Sequence, residues 1–283
     1  MKIKNLGLIA GNGRFPFLVL EEAQKQDISV VVAAIREETL NEIETFASDP
    51  QITIHWLGLG ELGRLIRLFT KHAVKTALMA GQVKHTHIFS RKGGPTFKTG
   101  VILPDLKMMR VFMSLPQRNT EALIGGVVLA LEEAGIKLVD STILLRHLIP
   151  DSGVLTQRRP NKEERRDIEY GQTVAREIAR LDLGQTVVVK DQAVVAVEAM
   201  EGTDETVRRA AGLVRGQRLT VVKASRPEQD MRFDVPTVGL DTLRVMEECS
   251  VSALAIDAEK TLILDRDEFL ERASGLKVTV VAG

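Results

Sequence analysis

The chain has 283 residues, enough for two domains, and its 44% hydrophobic and 27% charged content is that of a soluble globular protein. Thirty-eight Lys and Arg balance thirty-eight Asp and Glu, with one Trp and one Tyr, so no charge field or stacking surface for nucleic acid is expected. Cys249 is the single cysteine, which excludes an internal disulfide and suits a reducing cytoplasm. The longest near-apolar stretch, Ala122–Leu131, falls short of the roughly 20 residues of a spanning helix, and the opening MKIKNLGLIAGNG is too short and Gly-rich in its apolar run for a signal peptide.

Leu6–Ala10 reads as a short apolar strand, Gly11-Asn12-Gly13 as a turn, and Pro16–Gln26 as a helix with Pro16 in its first turn. Ile28–Ile35 is β-branched and predicts the second strand of a parallel sheet. Strand, glycine loop, helix and strand open a nucleotide-binding α/β domain. Glycines let a phosphate approach the backbone, and the helix N-terminus favours its charge. Gly11, Asn12 and Gly13 are therefore candidate substrate-binding residues, and Glu37 is placed to hold a ribose. Pro16 stands where a dinucleotide fingerprint needs its third glycine, and a plain tight turn explains the loop equally well.

Leu62, Leu65, Ile66 and Phe69 make Leu59–His72 an amphipathic helix. Thr76–Ala80 is a third strand, and Lys84 beyond its carboxyl end suits a phosphate. His85 and His87 alternate but have no nearby carboxylate or cysteine, so no metal is expected there. Ser90–Gly100 is a basic, Gly-rich loop, Asp105–Leu115 and Thr120–Ala134 are helices, and Lys137–Val139 is a short strand. Leu148–Pro160 lacks periodicity. The expected division is a domain at 1–134 and another at 135–283, with the boundary region at about 135–160.

Beyond it, Asn161–Leu181 is a helix, and Thr186–Val189 with Ala193–Glu198 form a hairpin through Lys190-Asp191-Gln192. Thr203 is expected to cap a helix running to Ala211. Glu198, Glu201 and Asp204 gather where strand meets helix, an arrangement that complements a helix dipole as readily as it holds a ligand. Leu219–Lys223 is a strand, followed after a loop by a helix (Asp241–Cys249), strands (Ala253–Asp257, Thr261–Leu264), a helix (Glu268–Ala273) and a last strand (Val278–Val281).

The loop is KASRPEQDMRFDVPTVG, residues 223–239. Pro227 and Pro236 bracket it and predict an extended segment. Alternation would then put Asp230, Arg232 and Asp234 on one face and Met231, Phe233 and Val235 on the other. The two aspartates would lie ~13 Å apart, too far for one metal ion. A solvated turn with Arg232 bridging the aspartates is the bland alternative.

GLIAGNGRFP (7–16), DLGQTVVVKDQAVVAVEAMEGTDE (182–205), KASRPEQDMRFDVPTVG (223–239) and AIDAEKTLILDRDE (255–268) together resemble the LpxI-type UDP-2,3-diacylglucosamine pyrophosphatases of lipid A biosynthesis. The resemblance covers nearly the whole chain and is densest in its second half. It implies an α/β protein, with a Rossmann-like N-terminal domain on a parallel sheet and a family-specific α/β C-terminal domain. It also implies hydrolysis of UDP-2,3-diacylglucosamine to UMP and 2,3-diacylglucosamine 1-phosphate (lipid X), a divalent cation such as Mg2+, a homodimer, and a cavity for acyl chains. The implied location is the cytoplasm, with weak peripheral contact at the inner membrane. The essential aspartate is implied to be Asp230 or Asp234, with Asp230 preferred and Arg232 bracing the phosphate. Thr203, Lys223 and Gln229 join the substrate-binding candidates, and Asp230, Asp204 and Glu201 are the candidate metal ligands. Gln117–Glu121, QRNTE, departs from the Gly-Asp-Asp type segment expected there. Two other classes fit parts of the chain: an NAD(P)-dependent oxidoreductase, on the first βαβ unit alone, and a non-catalytic nucleotide-sugar or lipid-binding protein.

Overall fold

A computed structural model describes residues 3–83, 104–115, 120–214 and 218–283. Lys84, His85, His87, the basic loop and Gln117–Asn119 lie outside the described residues. The chain divides into two compact units, residues 1–145 with Met231–Phe233, and residues 146–230 with 234–283.

In the first unit a five-stranded, all-parallel sheet runs β3-β2-β1-β4-β5. Its strands are β1 (Asn5–Ala10), β2 (Ser29–Ile35), β3 (Ile52–Leu57), β4 (Thr76–Ala80) and β5 (Lys137–Leu138). Among the described residues its α-helices are α1 (Phe15–Lys25), α2 (Leu62–Lys71), α3 (Leu106–Ser114) and α4 (Thr120–Glu133). Val30, Val32, Ala33 and Ala34 of β2 are all fully or almost fully buried, as a central parallel strand covered on both faces requires. Phe69, Leu131 and Ile136 are among the largest fully enclosed side chains of this unit, each stabilising by about 1.5–3 kcal/mol through burial. β3 was not expected from the sequence. Its Ile52, Ile54 and Trp56 alternate with Thr53 and His55, but its edge position leaves it only partly buried, which weakens the apolar signal.

The second unit is a three-layer α/β structure on a six-stranded sheet of order β6-β13-β11-β9-β7-β8. β9 (Leu219–Lys223), β11 (Val251–Ile256) and β13 (Thr279–Ala282) are parallel. β6 (Gly153–Val154), β7 (Thr186–Lys190) and β8 (Ala193–Val197) pair antiparallel. Period-two alternation divides the core. Val187, Val189, Val222, Ala253 and Ala255 pack against Ile168 and Ala175 of α5 (Lys162–Arg180). Val188, Val221, Leu254, Ile256 and Val280 point the other way, against α6 (Thr203–Val214), α7 (Leu240–Glu248) and α8 (Arg266–Gly275). A two-stranded parallel ribbon, β10 (Thr237–Val238) with β12 (Leu262–Ile263), completes the unit. The α5 N-terminus carries a capping box: the Asn161 side chain accepts from the Glu164 amide, and Glu164 reaches back to the Asn161 amide.

Candidate active site

At the carboxyl ends of β1 and β4, where the first sheet's strand order reverses, two glycine turns meet. The Gly11 amide donates to the Ala80 carbonyl at 2.8 Å, and Asn12 and Gln82 exchange backbone hydrogen bonds at 2.8 and 3.0 Å. A Cβ on Gly11 would lie 2.8 Å from the Gln82 carbonyl oxygen, and one on Gly81, at φ +92°, 2.5 Å from that of Asn12. The two backbones touch, and that contact accounts for both glycines. Two of the three loop amides proposed for phosphate are thus already engaged. Gly13, at φ +91° with open space beside it, has no such contact. Glu37 accepts from the Leu59 amide at 3.2 Å.

The second unit assembles more of the candidates. Lys223 ends β9, and its Nζ donates to Thr203 Oγ1 at 3.2 Å and to the Thr237 carbonyl at 3.0 Å. The ammonium thus ties a strand end, a helix start and the small ribbon together. Thr203 also donates to Glu198 Oε1 at 3.0 Å and shares a hydrogen bond with Thr186 Oγ1 at 3.2 Å. Its hydroxyl is committed to these side chains, so it does not act as the expected helix cap. The first α6 bond runs instead from the Thr206 amide to Gly202.

Two half-buried carboxylates feel the charge of this ammonium. Burial raises the pKa of Asp204, with Asp241 and Glu205 adding to the rise and Arg208 and Lys223 opposing it. Burial likewise raises Asp234, against the pull of Arg226, Gln229 and Lys223, while Asp182 adds to the rise. Glu201 turns elsewhere: its carboxylate pairs with Arg209 at 2.6 Å and accepts from the Ala199 amide at 3.1 Å.

The loop is not extended. The Asp234 amide donates to the Asp230 carbonyl at 2.9 Å, and Gln229 Nε2 donates to the Asp234 carbonyl at 2.5 Å. Residues 231–233 form the intervening turn. The ~13 Å separation expected of an extended chain therefore does not apply, and the alternating face of Asp230, Arg232 and Asp234 is lost. The physical reason lies in the anchor. Phe233 packs into the first unit's apolar core, Ser141 donates through its amide and hydroxyl to the carbonyls of Met231 and Arg232 at 2.9 and 2.7 Å, and Arg232 pairs with Glu132 at 3.5 Å.

Arg226 was missed. It bridges Asp182 at 2.7 Å and Asp234 at 3.5 Å. Its place in the same motif as Asp230 and Asp234 was a usable signal, and Asp182 opens the family-like stretch 182–205 without any feature that singles it out there. Ser225 Oγ, Arg226 Nε and Gln185 Oε1 are buried without a hydrogen-bond partner among the described residues, an unmet polar demand at this end of β9. Among the described residues no group of three or more His, Cys, Asp or Glu is placed to hold a metal ion. Asp230, Asp204 and Glu201 therefore do not form a preassembled three-ligand cage. The donors present are carboxylate oxygens, the hard ligands magnesium takes one or two at a time alongside waters and phosphate oxygens.

The second unit thus gathers an ammonium, a guanidinium and half-buried carboxylates around one end of its sheet. The model of the LpxI N-terminal domain matches residues 5–148, that of the LpxI C-terminal domain matches residues 151–281, and the chain belongs to the LpxI family. A relative is the UDP-2,3-diacylglucosamine pyrophosphatase LpxI of Caulobacter vibrioides, 30% identical over 292 aligned positions that cover 99% of this chain and 97% of that protein.

Proposed function

We propose that this protein hydrolyses the pyrophosphate bond of UDP-2,3-diacylglucosamine, giving UMP and 2,3-diacylglucosamine 1-phosphate, in lipid A biosynthesis. The observation that carries the reading is the end-to-end similarity to a relative of that name, across both domains. The cationic and acidic groups around Lys223 support it.

In the reaction, water adds to one phosphorus, the bridging P–O bond breaks, and the leaving phosphate takes the charge. Lys223 and Arg226 supply fixed positive charge where the anhydride's negative charge grows. Asp230 or Asp234 orients the water and takes its proton. A divalent cation would be held by Asp230 and Asp204, with Glu201 the weakest member because Arg209 already holds it. When bound, the cation neutralises pyrophosphate charge and polarises the phosphoryl oxygen. Gly13 remains the candidate contact of the glycine loop for nucleotide phosphate.

A homodimer in the cytoplasm belongs to the same reading. No helix among the described residues is long and apolar enough to cross a membrane. The test is UMP release from UDP-2,3-diacylglucosamine by purified protein with MgCl2 and with EDTA. Metal-dependent UMP release is expected. Folded protein that releases none with magnesium, manganese or calcium rejects the reading.

A further inference from the structure

Helix α3, LKMMRVFMS, is apolar on two sides. Met108 and Val111 are buried in the first unit's core. Leu106, Met109 and Met113, spaced three and four residues apart on the opposite side, are 76%, 45% and 73% exposed. Ordinary surface helices turn polar residues outward, so an exposed stripe of three large apolar side chains needs a partner. Nothing among the described residues covers it.

The rim of the stripe is cationic. Arg110 is exposed on α3, Arg67 is exposed on α2, which packs against α3, and neither has an ion-pair partner among the described residues. The acid nearest the helix start faces inward. The Asp105 carboxylate caps α3, accepting from the Lys107 and Met108 amides at 3.1 and 3.0 Å, and it also accepts from the Gly63 amide at 2.6 Å. Lys107 is paired with Glu133 at 3.0 Å. Apolar side chains flanked by arginines with no ion-pair partner among the described residues complement a bilayer whose headgroups are anionic, and methionine adapts its shape to a fluid partner.

We propose that the outer face of α3, Leu106, Met109 and Met113 rimmed by Arg110 and Arg67, docks on an anionic phospholipid bilayer. The inference rests on the proposed function for its purpose, because a diacylated substrate resides in such a bilayer. One short stripe and two cations give weak, reversible attachment, sensitive to salt.

The test is co-sedimentation of the full chain with phosphatidylglycerol–phosphatidylcholine vesicles and with pure phosphatidylcholine vesicles. Pelleting is expected with the anionic vesicles, and is expected to fall at least about fivefold in 0.5 M salt, in Leu106→Ser/Met113→Ser and in Arg110→Glu. Circular dichroism checks the fold of each variant, which the exposure of these side chains should preserve. The serine variant should keep wild-type turnover on substrate in detergent micelles and lose turnover on vesicle-embedded substrate. Absence of wild-type pelleting, or equal pelleting of the folded variants, overturns the proposal. So does a change of oligomeric state in the serine variant by light scattering, which would make this face a contact with a second copy. A wild type that pellets with anionic vesicles but hydrolyses no substrate in micelles leaves the docking surface standing and rejects the activity.

Discussion

The amide of Asp234 donates to the carbonyl of Asp230 across 2.9 Å, so the two acids of the signature loop flank a single turn. Asp230→Ala and Asp234→Ala are each expected to lower UMP release by about 10²-fold or more, because the proposed mechanism assigns the water's proton to one of them and keeps the other beside it. Purified variants with unchanged circular dichroism decide it. A folded variant that turns over at the wild-type rate removes that aspartate from the chemistry.

Asp234 also predicts a trade between stability and activity. Its folded pKa is raised by burial, so the native state holds the proton more tightly than the unfolded chain does. Stability from this group is present at low pH and is lost as pH rises through the ordinary aspartate range toward the raised folded value. Asp234→Asn removes the buried charge. At pH 7–8 it should melt higher than wild type and be inactive, and the gain in melting temperature should shrink as pH falls below the aspartate range. An asparagine variant that melts lower than wild type at pH 8 contradicts this account.

Glu164 has the opposite sign. Burial pushes its carboxyl up, but hydrogen bonds from Arg158 and from the Asn161 amide outweigh it, and the net shift is downward. Arg158 holds Glu164 through two bonds of 2.8 Å and also donates to the Ser252 and Lys277 carbonyls. Removing the acid leaves a half-buried guanidinium uncompensated. Glu164→Ala should cost about 3 kcal/mol in urea unfolding at pH 7. The folded pKa lies below the unfolded one, so the wild-type contribution is present above the unfolded value and lost as pH falls through the folded one. The difference between wild type and variant should therefore narrow in acid.

The hairpin between β7 and β8 turns through Asp191 and Gln192, both left-handed at φ +50° and +59°. Asp167 steadies the strained turn by accepting both amides, at 3.2 and 2.6 Å. Gln192→Gly keeps the amide and relieves the side-chain clash, and should raise stability by about 1 kcal/mol. A loss of stability on this substitution would show that the glutamine side chain matters more than the turn.

Most of the secondary structure was legible because its signals are local. Apolar periodicity located α2 and α5, β-branched runs located β2, β7 and β9, and Lys190-Asp191-Gln192 marked its hairpin. β3 escaped because an edge strand buries little, and β6 and β10 because two residues carry no period. The candidate site was legible in part. Lys223, Thr203, Asp204 and Asp234 stood out and lie around one ammonium. The loop's shape was not legible, because alternation describes a strand, and here the anchoring of Phe233 and two carbonyls bends the chain. Arg226 lay in the signature loop, but its pairing with Asp182, 44 positions away in sequence, is a product of the fold and could not be read from it.

Ser141 is fully buried, and the partners of its amide and hydroxyl are the carbonyls of Met231 and Arg232, some ninety positions downstream. The first unit is therefore unfinished until most of the second has been synthesised. A ribosome releasing residues 1–145 alone would deliver a lobe with a buried serine left unsatisfied and a core lacking Phe233. The two halves are accordingly poor candidates for exchange as independent gene segments. A fusion or duplication in evolution would have to carry both, or rebuild the three-residue strap that the later half lends to the earlier.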